Sequence, residues 1–430
     1  MRLKIFTLAF ALSWAILSYQ SSFAQLMNHQ IITVNGGKFE STPPYTDYVT
    51  VQTTHPETLE TTIQGTIFTQ SVQDVIAHEG VYYVSSGDSV IKFDGNTHQR
   101  LAVTRIVGAN KLALYNDLLL VSRQFPAVDS FLYILSADNL NPVKVISEVS
   151  GESAGILCTN GIAFVAVNYG WAGTTGKIAQ IDLNNLTFLK EDDLGPEATG
   201  IFNIYMSDNQ IVTVNKTPWG GINGFISTYK PLTGQIKHYE VNHVLGPGYG
   251  IYKGQLFVNM DGNIGTIDLD TYTVADSDLI TNPYASVFGS ITSAVIDTLN
   301  SKIYFNAGDY FSFGQGFVYT TFGDSLGTFT SGISAEGITI DYQRLEGAST
   351  QPTNALEIYP NPFISLLNIN SSKDVMGIEI FSLTGQKLVS DMPLNKSQIN
   401  LNLSGLKSGI YLIKVSMEDG TSLTHKIIKR

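Results

Sequence analysis

The chain has 430 residues, with 25 Lys and Arg against 37 Asp and Glu, a formal net charge of −12. That acidic balance, with no basic patch carrying interleaved aromatics, excludes a nucleic-acid partner, because phosphate backbones are repelled. A single cysteine, Cys158, excludes an intramolecular disulfide, so stability must come from the size of the core.

Arg2 and Lys4 precede an apolar run from Ile5 to Leu17, and Ser22-Phe23-Ala24 places small residues where a signal peptidase reads. The run is too short to cross a bilayer. Residues 1–24 are therefore predicted to be a cleaved signal peptide, with no transmembrane span in the chain. No cysteine follows the run, which excludes a lipoprotein signal. Cys158 itself lies in the apolar stretch Gly155-Ile156-Leu157-Cys158 and reads as a core residue, not a nucleophile.

From residue 75 onward one unit recurs. Its first two strands read VIAHEGVYYVS (75–85), LALYNDLLLVS (112–122), ILCTNGIAFVAV (156–167), IYMSDNQIVTVN (204–215), IYKGQLFVN (251–259) and VIDTLNSKIYFN (295–306). A third strand returns in VIKFDGNT (90–97), IAQIDLNNL (178–186) and IGTIDLDTYT (264–273), among others. Four strands repeated every 37 to 48 residues predict the blades of a β-propeller. Ile338-Thr339-Ile340 reads as a first strand with nothing after it. IITVN (31–35) and YVTVQTTHPETL (48–59) read as later strands with no first. Together they predict one blade built from both termini, closing a seven-bladed ring over residues 25–343 with no free sheet edge. Asp94, Asp182 and Asp268 end the third strand, and each is expected to cap its own turn through a backbone N–H two residues on. This third-strand signature resembles the YncE-like propellers, which share ancestry with lactonase-type propellers.

Chemistry is expected where the repeats differ. The loops between second and third strands collect on one face, around the mouth of the central channel. SSGDS (85–89) and MDGN (260–263) are tight, whereas 35–48, 122–130, 167–177, 214–224 and 306–316 are long. The long loops carry Tyr45, Phe125, Tyr169, Trp171, Trp219, Tyr310, Phe311 and Phe313, many beside glycine, and also Arg123 and Lys216. Aromatics of this kind either pack loops together or anchor a binding surface. Because five loops share the pattern and two do not, the set is read as ligand-binding, with Arg123 and Lys216 available to a carboxylate or phosphate. Asn110, Asn203, Tyr249 and Glu336 fall near the starts of the innermost strands. No His cluster, GxSxG, HExxH, calcium loop or CxxC occurs, so no catalytic residue, metal ligand or cofactor is assigned.

Residues 344–355, RLEGASTQPTNA, read as a linker. Beyond it the period is two: LEIYPNPF from Leu356, IEIFSLTGQKL (378–388), INLNLSGLKSGIYLIKV (399–415) and HKIIKR (425–430) predict a small β-sandwich. Pro360 and Pro362 around Asn361 suit an extended entry into the first strand. These four blocks, in this order, resemble the type A sorting domain of the type IX (Por) secretion system. The resemblance implies export to the outer cell surface or the medium, and the secretion machinery as a partner.

The expected architecture is thus all-β: a seven-bladed propeller closed by both termini, followed by an Ig-like sandwich over 356–430. Two functions from different classes stand. One is a non-enzymatic propeller binding a small ligand or partner on its aromatic loop face. Surface propellers with YncE-like repeats include corrinoid binders that serve outer-membrane receptors, which makes a corrinoid one candidate and such a receptor a candidate partner. The other is a propeller hydrolase or lyase acting on a sugar lactone or polysaccharide.

Overall fold

The computed structural model describes residues 26–40, 42, 44–284, 289–344, 356–382, 386–389, 396–418 and 422–430. The expected signal peptide, and the linker beyond Arg344, lie outside them. The chain divides into two compact units at Leu345/Glu346.

The first unit is seven four-stranded antiparallel sheets, each ordered from an innermost to an outermost strand. Blade 1 is built from Gly337–Arg344, Leu26–Asn35, Val49–Thr54 and Thr61–Ile67. Blades 2 to 7 each follow the chain, with innermost strands Val72–His78, Ala109–Tyr115, Ser153–Thr159, Ile201–Ser207, Leu245–Tyr252 and Ser290–Asp297. Second strands are apolar without alternation, as in Ile162–Val167, because neighbouring blades cover both of their faces. Outermost strands such as Arg100–Arg105 are mostly exposed and carry charge.

The expectation of a closed ring without free edges is corrected. Strand pairing stops at the fourth strand of every sheet, so no ladder joins one blade to the next among the described residues, and each blade keeps two unpaired edges. The pairing of Ile31 with Ile340 and Val34 with Gly337 ties the two ends of the propeller segment together, but only inside blade 1. What holds the ring is side-chain packing between blades. Ile32, Val34, Val51, Tyr82 and Ile91 form the core between blades 1 and 2, and Ile31, Tyr304, Val318, Phe329 and Ile340 that between blades 7 and 1. The physical reason is geometric: radial sheets meet face to face, and a face presents side chains, not backbone N–H and C=O groups.

The second unit is also corrected. It is a single six-stranded sheet, not a two-sheet sandwich. One strand, Leu366–Ser382, is 17 residues long. Its first half pairs with Leu356–Tyr359 and Lys396–Asn402, its second half with Gly409–Met417, and its register shifts between Asn370 and Val375. One strand therefore serves both would-be layers, and the sheet curls into a half-barrel around Leu367, Ile369, Ile378, Ile380, Ile413 and Val415. Asn361 accepts from the Ile428 N–H at 2.8 Å and donates Nδ2 to the Lys426 carbonyl at 2.8 Å, which fastens the proline-flanked entry onto the C-terminal strand.

Candidate functional site

Antiparallel order sends the start of every innermost strand and every second-to-third-strand loop to one end of the ring. At that end the innermost strands share a defect. The register against the second strand shifts at Val72/Asp74, Ala109/Leu112, Ser153/Ile156, Ile201/Asn203, Leu245/Gly248 and Ile291/Ser293, so that each of blades 2 to 7 is bulged there, and blade 6 shifts again at Gly248/Gly250. A bulge leaves residues unpaired and re-aims their side chains. Gln73, Lys111, Phe202 and Thr292 lie within these bulges, and all four line a cavity of about 690 Å³ at the channel mouth.

Several polar groups at the mouth compensate the interrupted ladders, since buried backbone groups need partners. Asn110 donates Nδ2 to the Ser153 carbonyl at 2.8 Å, Asn203 accepts from the Gly248 N–H at 2.8 Å, and Asp74 accepts from the Leu112 N–H at 2.9 Å. Each of these bonds links one blade to the next. Gly248 matters at its position, because a Cβ there would lie 2.8 Å from the Tyr205 hydroxyl.

Four ionisable groups converge on the same cavity. Lys111 Nζ lies 3.9 Å from Asp74 Oδ1, donates to the Gln73 carbonyl, and sits 5.4 Å from the centre of the Phe202 ring. Lys216 Nζ sits 4.3 Å from the centre of that same ring. Among the described residues Lys216 Nζ has no carboxylate partner, and the Glu336 carboxylate has neither an ion pair nor a hydrogen bond. Burial pushes Asp74 up from the ordinary carboxylate value, partly offset by Lys111. Burial and then the like charge of Lys111 push Lys216 down. Glu336 is raised to about 7 by burial, with Lys111 pulling the other way. Burial and then Glu336 raise Tyr310, which leans over the cavity while 44% exposed.

Of the residues singled out from sequence, the structure brings Lys216 and Tyr310 to this cavity, with Asn110, Asn203, Tyr249 and Glu336. Around it stands an exposed rim: Trp171 and Trp219 are 93% and 94% exposed, and Phe125, Phe311 and Phe313 also face solvent. Tyr45 is half-buried and packs edge-on to Tyr48. Tyr169 is half-buried under Lys177, whose ammonium is 5.2 Å from its ring centre, and belongs to the packing between blades 3 and 4. Arg123 is buried beneath its own loop, where its guanidinium donates to the carbonyls of Val107, Asp129 and Ser130 at 2.7 to 2.8 Å. Asp74, Lys111 and Phe202 went unnoticed in the sequence. The only available signal was a polar or aromatic residue at the head of each first strand, where the apolar repeat had not yet begun. No group of three or more His, Cys, Asp and Glu that would hold a metal occurs among the described residues. None of their helices is long and apolar enough to cross a membrane.

The fold and the tail together define the class: a seven-bladed β-propeller that carries a C-terminal sorting signal. Residues 357–430 match the family described as "Secretion system C-terminal sorting domain", so the chain is a secreted propeller bearing a type IX sorting tail. A curated relative, beta-agarase D of Zobellia galactanivorans, is 30% identical over 78 residues, which is 18% of this chain and 16% of the agarase. The extracellular domain of a hybrid two component system from B. thetaiotaomicron matches with a TM-score of 0.48 at 12% identity, over 94% of this chain and 59% of that one. BamB from Moraxella catarrhalis matches with a TM-score of 0.41 at 12% identity, over 81% and 95%. The computationally designed Ika8 protein matches with a TM-score of 0.43 at 14% identity, over 83% and 96%. Likenesses at this level carry no argument about function.

Proposed function

We propose that this protein is a non-enzymatic, secreted binding propeller that captures a small ligand or a partner on its loop face. The observation that supports the reading most is the pairing of two features at one end of the ring. A polar cavity with unpartnered ionisable groups lies at the centre, and large aromatics almost fully in water lie around it. Exposing a tryptophan costs free energy that capture of a ligand recovers, and buried aromatics are the usual anchors of such contacts. A corrinoid, flat and amphipathic, is one candidate for a face of this build, and an outer-membrane receptor is a candidate partner. Absorbance titration of the full chain with a corrinoid tests the specific case. Saturable binding lost in Trp171→Ala/Trp219→Ala supports loop-face capture, and binding that survives both changes refutes it.

A second reading has one observation in its favour. Glu336, raised to about 7 in a cavity with two lysines, is poised for acid–base work on a sugar lactone or polysaccharide. Turnover of such a substrate, abolished in Glu336→Gln with binding retained, would replace the binding reading.

A further inference from the structure

We infer that the channel mouth is a specific site for the oxyanion head group, carboxylate or phosphate, of a small ring-bearing molecule, held between Lys216 and Lys111 with its ring against Phe202 and Tyr249. The inference rests on the binding reading and gives it a ligand class.

Two ammonium groups sit over one aromatic ring, 4.3 and 5.4 Å from its centre. Phe202 satisfies each weakly, and neither cation relieves the other. One carboxylate, Asp74, is within 3.9 Å of Lys111, and its Oδ2 is already occupied by the Leu112 N–H. Lys216 is left without a counter-ion in a half-buried position, where an unpaired charge is costly. Gly200 fixes that placement: it has φ +77, its carbonyl accepts from the Lys216 N–H at 2.9 Å, and a Cβ on it would lie 2.2 Å from the Lys216 carbonyl oxygen. With Glu336 protonated, as it is below about pH 7, the two lysines face only the Asp74 carboxylate, so the mouth carries a local positive excess in a chain whose net charge is −12. An incoming oxyanion supplies the missing counter-charge to Lys216 and separates the two cations. The opposite occupant, a metal cation, finds no group of three ligating side chains among the described residues.

The titratable groups that face the site are Asp74, Lys111, Lys216 and Glu336, with the phenols Tyr205, Tyr249 and Tyr310. Burial raises Tyr205 and Tyr249 well above the ordinary phenol value, and burial also raises Tyr310, so the phenols stay neutral and serve as hydrogen-bond donors. Glu336, raised to about 7, changes charge near neutrality. Protonated, it donates to an oxyanion; ionised, it repels one. Affinity should therefore rise as pH falls through about 7.

The test is calorimetric titration of the full chain with galacturonate, benzoate and inorganic phosphate, with galactose as the neutral control, at about pH 6 and about pH 8. The expected result is saturable binding of at least one anion but not of galactose. It should be about tenfold tighter at the lower pH and weakened about tenfold or more by Lys216→Met, with Lys216→Gln as a second variant. The two organic acids against phosphate decide which head group fits. No saturable anion binding, binding indifferent to both Lys216 variants, or tighter binding at the higher pH overturns the inference. Trp171→Ala/Trp219→Ala in parallel separates the two levels. Loss of corrinoid or partner capture in the tryptophan variant, with Lys216→Met unaffected, removes the oxyanion site and leaves loop-face binding standing.

Discussion

The two ends of the ring are built from the same four-stranded repeat and treat their polar groups in opposite ways. At the turn end, carboxylates are held by several hydrogen bonds each, although Asp341 Oδ1 is buried without a partner. Asp94 accepts from the N–H groups of Asn96 and Thr97, Asp182 from those of Asn184 and Asn185, and Asp268 from those of Asp270 and Thr271, all at 2.7 to 3.2 Å. Asp297, fully buried there, accepts from Asn28, Asn300 and Tyr342 at 2.8 to 3.1 Å, and Asp341 Oδ2 from Gln30 and Gln343 at 3.0 and 2.9 Å. At the loop end, the bulged strands turn Lys111 and Phe202 into an open cavity, and Lys216 and Glu336 are left unpartnered. A blade needs its turns capped in order to fold, but nothing in folding needs a bare lysine and an unpartnered, raised carboxyl in the lining of one cavity. Such local inconsistency is where function is usually found.

The largest expected effect tests whether the loop end binds at all. Trp171→Ala/Trp219→Ala removes two side chains that touch almost nothing in the free protein. Affinity for a loop-face ligand should fall about 1,000-fold, since anchor aromatics contribute roughly 2 kcal/mol each. The melting temperature should not move measurably. A drop of several degrees would mean that the tryptophans pack the loops instead. The same pair of measurements on Asp268→Ala should invert the result: a lower melting temperature, because a turn loses its cap, with affinity unchanged.

Next in size is Glu336→Gln, which asks whether the loop end is held at a cost to the fold. Glu336 is raised from 4.5 to about 7, so the folded state keeps a proton that the unfolded chain releases between those values. The wild-type chain therefore loses stability as pH rises through that window, and above it the Gln variant should be more stable, by about 1–3 kcal/mol. Near pH 4 the two should unfold alike. Denaturant unfolding at both pH values decides it, and equal stability at about pH 8 would show that Glu336 is effectively solvated. The turn end should respond with the reverse sign. Asp94, Asp182 and Asp268 are held below the ordinary carboxylate value chiefly by hydrogen bonds in their own turns. Their contribution is present above that value and is lost as pH falls below about 4. Acid unfolding of the triple Ala variant should be correspondingly less steep.

Much of this contrast was legible in the chain, but unevenly. The blades could be read because second strands such as Leu118–Arg123 and Lys302–Gly308 are buried on both faces and repeat at a steady interval. The turn aspartates could be read because an Asx turn is local, closed within three residues. The cavity could not. A bulge is a mismatch between two strands and leaves no mark in either strand's own periodicity, so Asp74 and Lys111 looked like the polar start of an ordinary strand. Arg123 illustrates the other limit. Its charge was visible, but the three backbone carbonyls that consume its donors come from a fold-back of its own loop and the one before it. The tail misled for a related reason: alternation in 378–383 and 399–406 reads equally well as two layers or as two stretches along one curled sheet, and the 17-residue strand that settles the matter has no break in its sequence.

The smallest expected effect uses the lone thiol as a reporter from the turn end. Cys158 lies near the turn end of the innermost strand of blade 4, half-buried against the core shared with blade 3, and burial pushes its thiol up to about 12. At about pH 8 almost none of it is thiolate, and the thiolate is the reactive species. Labelling of the folded chain by an aromatic disulfide reagent should therefore be slow, and should rise to the rate of a free thiol only in denaturant. A ligand seated at the loop end does not reach Cys158, so it should leave the direct labelling rate of the native state unchanged. It should slow only the fraction of labelling that passes through global unfolding, in proportion to the stability that binding adds. Fast labelling, or strong protection at ligand concentrations too low to raise the melting temperature, would show that the two ends of the channel communicate. The division of labour between them would then be wrong.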